Sequence, residues 1–402
     1  MEYRQRRIAL QATDGVFIIP SWPEALRNPD VMHPYRPDSS LYYLTGFAEP
    51  ESILVLTPKK SVLFVRPKDP EKELWEGIRL GVEGALALTG MDATYPIQQF
   101  ASQLPQLLNE ASAIYYTLGS SIDSMVLEAR SGQLRKKGRT GLSCMPLHDP
   151  TQLIGELRIH KSASEIALLE KACTLSAEAH QELRRIVTSG MYEYELDAAF
   201  IAYTKKRGCE RLGYPSIVAA GVNATILHYQ TNTKQLKAGE LVLVDAGAEY
   251  GMYTADISRT FAVTEMTQLQ AKAYSIVLHA QQEGISMIKP GISIQAIHTH
   301  VCDILTEGMK ELNLLKKDGA PFQTFYPHKT SHFLGLDVHD SGIYMIDGAS
   351  RILEPGMVIT VEPGLYIPAH IPHPLAGTGI RIEDDILIEA SGHRNLTQAA
   401  EK

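Results

Sequence analysis

Cysteine is scarce in this chain and scattered along it. The four thiols, Cys144, Cys173, Cys209 and Cys302, show no CxxC or CxxxxC spacing, which argues against zinc ribbons and against a disulfide framework. Basic runs are equally absent. Charged residues are 21% of the 402 and the net charge is -8, so neither a nucleic-acid surface nor an anionic-membrane surface is indicated. No apolar stretch reaches membrane-spanning length, and the one in "MEYRQRRIALQATDGVFIIP" is too short for a signal peptide. These exclusions leave a soluble, cytoplasmic protein whose partner is a small molecule or a peptide.

Apolar residues make up 44% of the chain, whose length exceeds what one hydrophobic core fills, so two domains are expected. In the first part, the short apolar runs "SILVLT", "SVLFV" and "AIYYT" alternate with helix-like polar stretches, the pattern of an α/β unit. Residues 1–157 are therefore expected to form an α/β N-terminal domain and residues 158–402 a second domain. That second domain opens on a helix. Ser162 and Glu165 have capping-box spacing, and Ile166, Leu169, Ala172 and Cys173 form a helical stripe.

The second domain carries a faint internal duplication. "GELVLVDAG" from Gly239 and "GMVITVEPG" from Gly356 each place an acid, Asp245 or Glu362, six residues after the first glycine, with another glycine two residues later. Each is followed by a second acid-bearing segment, "ADISRTF" with Asp256 and "IRIEDDILI" with Glu383. Each is preceded by a histidine, His228 in "ILHY" and His339 in "LDVHD". Two α+β halves related by a pseudo-twofold would bring the acid-bearing strands together. Alternation along "GIRIEDD" predicts Arg381 and Glu383 on one strand face and Ile380 and Ile382 on the other.

Four converging carboxylates cannot all stay ionised without compensation, and two divalent cations would balance their charge. Carboxylates with an imidazole and no thiolate suit Mn(II), Co(II), Fe(II) or Zn(II) rather than a structural zinc. Each residue also has a plainer reading. Asp-Ala-Gly and Glu-Pro-Gly are ordinary turn sequences, His332 or His228 alone reads as a satisfied core or surface histidine, and Arg381 as a salt-bridge partner. The matched positions in two repeats favour the metal site.

With these residues in view, the chain resembles the Xaa-Pro aminopeptidases (aminopeptidase P) of the pita-bread metallopeptidase superfamily. "SHFLGLDVHD", "VDAGAEY" with "ADISRTF", "VEPGLY" and "GIRIEDD" are similar to that family's metal-ligand motifs in order and spacing. "YRPDSSLYYLTGFAEPES" and "RPKDPEKELWEGIRLG" are similar to its creatinase-type N-terminal domain. The resemblance implies an α/β N-terminal domain followed by an α+β pita-bread domain. It implies Asp245, Asp256, His332, Glu362 and Glu383 as ligands of two divalent ions, Mn2+ first among them. It places His228, His328 and His339 around the substrate, with Tyr366 and Arg381 lining or supporting the site. Glu362 is the expected acceptor of the water's proton and His339, with His228, the donor to the peptide oxygen. The family pattern has glycine and tryptophan where Lys329 and Phe333 stand here.

The activity implied is removal of one residue ahead of proline. A proline-specific dipeptidase is the alternative, and a non-catalytic pita-bread module that binds peptides is a third reading. Creatinase is disfavoured because the full ligand set is present. The resemblance also implies a homo-oligomer, a dimer or tetramer. In it Trp75, set with Arg79 on one face of a helix, would act as a hook at the neighbour's entrance; the competing reading buries Trp75 in its own domain.

Overall fold

The computed structural model describes residues 2–109, 111–138, 145–316 and 319–402. The chain folds as two compact units, Met1–Leu157 and Arg158–Lys402.

The first unit is built on a six-stranded mixed sheet. Its strands are β1 (Gly15–Pro20), β2 (Ile53–Leu56), β3 (Ser61–Val65), β4 (Ala93–Pro96), β5 (Ala113–Tyr115) and β6 (Leu147–His148), in the order β4-β3-β2-β1-β5-β6. β1 to β3 are antiparallel, while β4, β5 and β6 pair parallel to their neighbours. The central strands "GVFIIP", "ILVL" and "SVLFV" are unbroken apolar runs because helices cover both of their faces; every residue but Pro20 is buried. The expected α/β unit is present.

In the second unit the repeat seen in the sequence becomes helix pair, then antiparallel strands, twice over. α1 (Ala163–Ile186) starts on the expected capping box, with the Ser162 and Glu165 side chains satisfying each other's backbone N–H. It leads into α2 (Glu193–Lys205) and a sheet of β7 (Ile217–Ala220), β8 (Leu241–Asp245) and β9 (Ser258–Ala262). The second copy has α3 (Gln268–Ser286), capped by Thr267 and Gln270, and α4 (Ile294–Glu311). Its strands are β10 (Val358–Val361), β11 (Gly364–Ile367), β12 (Thr378–Arg381), β13 (Asp384–Ile388) and β14 (His393–Asn395), paired β10-β13-β14 and β11-β12. This is the α+β pita-bread architecture.

Two features of the second unit set up the site. Segment 330–334 lies alongside β10, with Thr360 N donating to His332 O (3.0 Å) and Glu362 N to Thr330 O (2.9 Å), so His332 and Glu362 arrive as neighbours. The expected split of "IRIE" into two faces is present: Ile380 and Ile382 join a hydrophobic core cluster, and Arg381 and Glu383 line a cavity. Ile380, Arg381, Ile382 and Glu383 are all buried, because the strand is covered on both sides and its charged residues face partners instead of water.

Candidate metal centre

A cavity of about 280 Å3 is lined by Leu227, His228, Asp245, Asp256, His328, Lys329, Ser331, His332, His339, Glu362, Arg381 and Glu383. A larger cleft of about 430 Å3 lies in the first unit. That cleft carries mainly apolar and hydroxyl side chains with one carboxylate, Asp38, whereas the smaller cavity gathers the chemistry.

Asp245 ends β8, Asp256 lies just before β9, Glu362 follows β10 and Glu383 joins β12 to β13. Oxygen atoms of Asp256 and Glu383 and a ring nitrogen of His332 lie within 4.8 Å of one another. His332 is oriented by its own backbone neighbourhood. Nδ1–H donates to Phe333 O at 3.1 Å, which turns Nε2 to within 3.4 Å of Asp256 Oδ2 and 3.4 Å of Glu362 Oε1. Outer hydrogen bonds of this kind fix the tautomer of metal-binding histidines.

Arg381 is the hub on the other side. Its Nη2 donates to Asp245 Oδ2 (2.6 Å), Nη1 to the Tyr366 hydroxyl (2.9 Å) and Nε to Ser258 Oγ (2.8 Å). Ser258 in turn donates to Glu383 Oε2 (2.7 Å). The Tyr366 hydroxyl reaches His328 Nε2 at 2.8 Å, while His328 Nδ1–H is engaged by the Lys329 carbonyl at 2.8 Å. Both ring nitrogens of His328 are therefore occupied. Burial, with the Arg381 charge adding to it, lowers His328 to about 3 and keeps it neutral.

The acids are crowded. Burial lifts Glu362 to about 7 against the opposing charges of His332 and Arg381. Burial and the charge of Asp256 push Glu383 well above the usual carboxylate range, and burial with the charge of Asp245 raises Asp256. For His332, burial acts downward, but the Asp256 hydrogen bond and the Glu362 charge outweigh it and lift the ring to about 9. The cluster is short of positive charge.

Comparison with known proteins agrees with this geometry. Residues 167–390 match the model of "Metallopeptidase family M24", and residues 1–115 that of "Aminopeptidase P, N-terminal domain". The chain is 40% identical to the Xaa-Pro aminopeptidase of Escherichia coli, covering 100% of this chain and 95% of that one. The chain belongs to metallopeptidase family M24, among the Xaa-Pro aminopeptidases. The human Xaa-Pro aminopeptidase 3 is 34% identical over 94% of this chain and 76% of its own length. Proline aminopeptidase P II from Yersinia pestis superposes with a TM-score of 0.93 at 40% identity, covering 100% and 96% of the two chains. A zinc-substituted E. coli aminopeptidase P with bound product gives 0.93 at 38% identity, covering 100% and 95%.

The donor set of this M24 chain fits divalent ions. Glu383 is 1% exposed, and its Oε1 has no hydrogen-bond partner among the described residues, a costly state for a carboxylate unless a cation meets it. The Tyr214 hydroxyl lies 2.6 Å from both Asp245 Oδ1 and Asp256 Oδ1. One phenol proton cannot serve both acids, so positive charge is again what the site lacks.

Tyr214, Ser258, Arg259 and Asp385 escaped the sequence reading. Asp385 accepts the Asp256 N–H at 3.0 Å, and Arg259 Nη1 donates to the Glu383 carbonyl at 2.6 Å. "RLGYPS" and "ISRTF" carry no spacing that marks such roles. His228, whose plain reading was a buried histidine, is exposed on the cavity wall, as is His339. Trp75 belongs to the first unit and is 85% exposed, which rules out the buried-core reading. The pairing with Arg79 on one helical face is also corrected. The helix Pro70–Glu76 stops at Gly77, whose positive φ breaks it, and Arg79 lies beyond it, buried against Glu76 at 2.6 Å. Cys173, Cys209 and Cys302 are free thiols, and Cys144 lies outside the described residues. Among the described residues no helix is long and apolar enough to cross a membrane.

Proposed function

We propose that this chain is an aminopeptidase that removes the first residue from peptides with proline in second place. The observation that carries the reading is the convergence of Asp256, His332 and Glu383, with Glu383 Oε1 left without a hydrogen-bond partner among the described residues. Asp245, Asp256, His332, Glu362 and Glu383 would hold two divalent ions. Mn2+ suits this hard, oxygen-rich set with one imidazole and no thiolate better than a softer ion. When bound, such ions supply Lewis acidity and bring the pKa of water towards neutrality.

The chain's own residues do the rest. Glu362, on the cavity wall with an oxygen 3.4 Å from His332 Nε2, takes the proton from the attacking water, since a carboxylate within hydrogen-bond reach of that water can accept it. His339 and His228, both exposed to the cavity, donate N–H groups to the peptide oxygen as negative charge grows on it. Arg381 keeps Asp245 and Tyr366 in place, and His328 holds the Tyr366 hydroxyl at the wall. The leaving nitrogen belongs to proline, whose tertiary amide offers no N–H; recognition must rest on shape.

The first unit serves assembly. Leu74 (80% exposed), Trp75 (85%) and Ile78 (87%) stand out from a helix with no buried residue and from the turn after it. Exposed apolar side chains so close together in the sequence suit an interface, and its occupant is a second copy of the chain in a dimer or tetramer. There Trp75 borders the neighbour's entrance and contacts residues beyond the proline. The scattered cysteines support a cytoplasmic setting.

Hydrolysis of Ala-Pro-Ala beside Ala-Pro, with and without Mn(II), tests the activity. Metal-dependent cleavage of the tripeptide at least about tenfold faster than the dipeptide is expected. Preference for the dipeptide would make the chain a dipeptidase, and inertness towards both in the metal-loaded protein would leave a binding module.

A further inference from the structure

Asp340 follows His339 directly, in a stretch with no regular secondary structure from Gly335 to Gly342. No strand ladder fixes this loop. Backbone bonds tie it at Gly335, from Thr254 N to Gly335 O at 3.0 Å and from Gly335 N to Asp337 O at 3.2 Å, and at Asp340, from Asp340 N to Phe333 O at 2.9 Å; ionic contacts add to them. The Asp340 carboxylate is buried. Its Oδ1 accepts from Arg158 Nη2, and its Oδ2 accepts from Lys161 Nζ at 3.1 Å. Arg158 Nη2 also donates to Asp337 Oδ2 at 2.6 Å, two residues before His339. The Lys161 ammonium is 1% exposed and has no other hydrogen-bond partner than Asp340 among the described residues. The loop closes tightly over the pair. A Cβ on Gly335 would lie 2.2 Å from Asp340 Oδ2 and 3.0 Å from Lys161 Cε.

Lys161 is held by its own backbone. Lys161 N donates to Gly356 O at 2.8 Å, and the residue after it, Ser162, is the cap of α1. Burying such charges costs about as much desolvation as their attraction returns, and apolar side chains of equal volume are often as stable or more so. What the ionic arrangement adds is direction. Two donors approaching two oxygens of one carboxylate fix its position and plane. The adjacent His339 ring stands perpendicular to the His332 ring, with centroids 4.5 Å apart.

We propose that Arg158 and Lys161, acting through Asp340, are positioning residues that hold the His339 imidazole over His332. The inference rests on the reading of His339 as a hydrogen-bond donor to the reacting peptide, so the test starts from that residue. In Asp340→Asn, kcat for Ala-Pro-Ala falls about tenfold or more while KM and bound metal stay within about twofold. In a His339→Ala background the same substitution changes kcat less than about twofold, because its target is already gone. A crystal structure of Asp340→Asn shows the His339 ring displaced from His332. Equal losses in the two backgrounds, or an unmoved ring, overturn the clamp. A silent His339→Ala variant overturns the donor reading and the clamp with it. Should Asp340→Asn fold poorly because Lys161 is left unpaired, the double variant Lys161→Met/Asp340→Leu removes both charges. It is expected to keep its thermal midpoint and to lose kcat alike; full activity in that variant refutes the proposal.

Discussion

Glu383 is crowded by like charge in the cavity. It is buried beside Asp256, Glu362 and Asp245, with Ser258 as the one hydrogen-bond donor to its carboxylate among the described residues. In the proposed site Glu383→Ala removes one of four negative charges that would offset two close cations, whose mutual repulsion would then rise steeply. Metal per chain, measured by elemental analysis, should fall from two ions to one or none, and peptidase activity should vanish. Retention of both ions in that variant would sink the ligand set. His180 gives a test of a different kind. It is fully buried with Nε2 on the Ala246 carbonyl at 2.9 Å, and burial lowers it from 6.5 to about 4. The unfolded chain takes up this proton near the ordinary value and the native chain only near the lowered one, so stability falls as pH drops through that window. Between about pH 7 and pH 5 the loss is about 2 kcal/mol. Urea unfolding of the parent and of His180→Gln at both pH values checks it. The variant should lose that much less stability on acidification, and an identical pH response would refute the assignment.

The paired motifs explain their glycines at the level of the element. In the first repeat, a Cβ on Gly247 would lie 1.8 Å from the Ala255 carbonyl oxygen, because the chain returns there to deliver Asp256 beside Asp245. In the second, a Cβ on Gly364 would meet the Tyr366 hydroxyl at 2.5 Å, since that ring folds back along β11 towards His328. The two glycines sit at equivalent positions and clear space for different partners. Gly247→Ala forces a backbone apart and should cost about 1–3 kcal/mol by overpacking. It should also weaken metal retention, because Asp256 moves with Ala255. Thermal melting and metal content of the purified variant report the two effects separately; normal metal binding would show that the turn can relax without moving the acid. The capping box at Ser162 and the strands of the first unit were legible because they depend on neighbours in sequence. The Trp75–Arg79 pairing was misread for the opposite reason. Gly77 ends the helix, so fourfold spacing no longer means a shared face.

At the scale of the whole molecule, the exposed side chains of Leu74, Trp75 and Ile78 are a feature that a lone chain leaves without use. In an oligomer, Trp75→Ala should leave folding and metal content unchanged and alter KM more than kcat for peptides longer than three residues, because the side chain meets only the part of the substrate beyond the proline. Light scattering at working concentration together with steady-state kinetics decides it. A monomeric parent protein refutes the interface, and an unchanged KM refutes the contact.

The sequence by itself determined the two-part organisation, the duplicated half and the five acid and histidine candidates, since hydrophobic periodicity and repeated motifs are properties of order along the chain. It could also show that the acids needed compensation. Only the tertiary structure decided which groups supply it. Tyr214, Ser258 and Arg381 stand 31, 125 and 136 positions from the acids they hold, and Asp340 stands 182 from Arg158 and 179 from Lys161. No local pattern links residues so far apart. Their meeting is set by the packing of the two halves, where burial makes each carboxylate's hydrogen bonds obligatory and its partner specific.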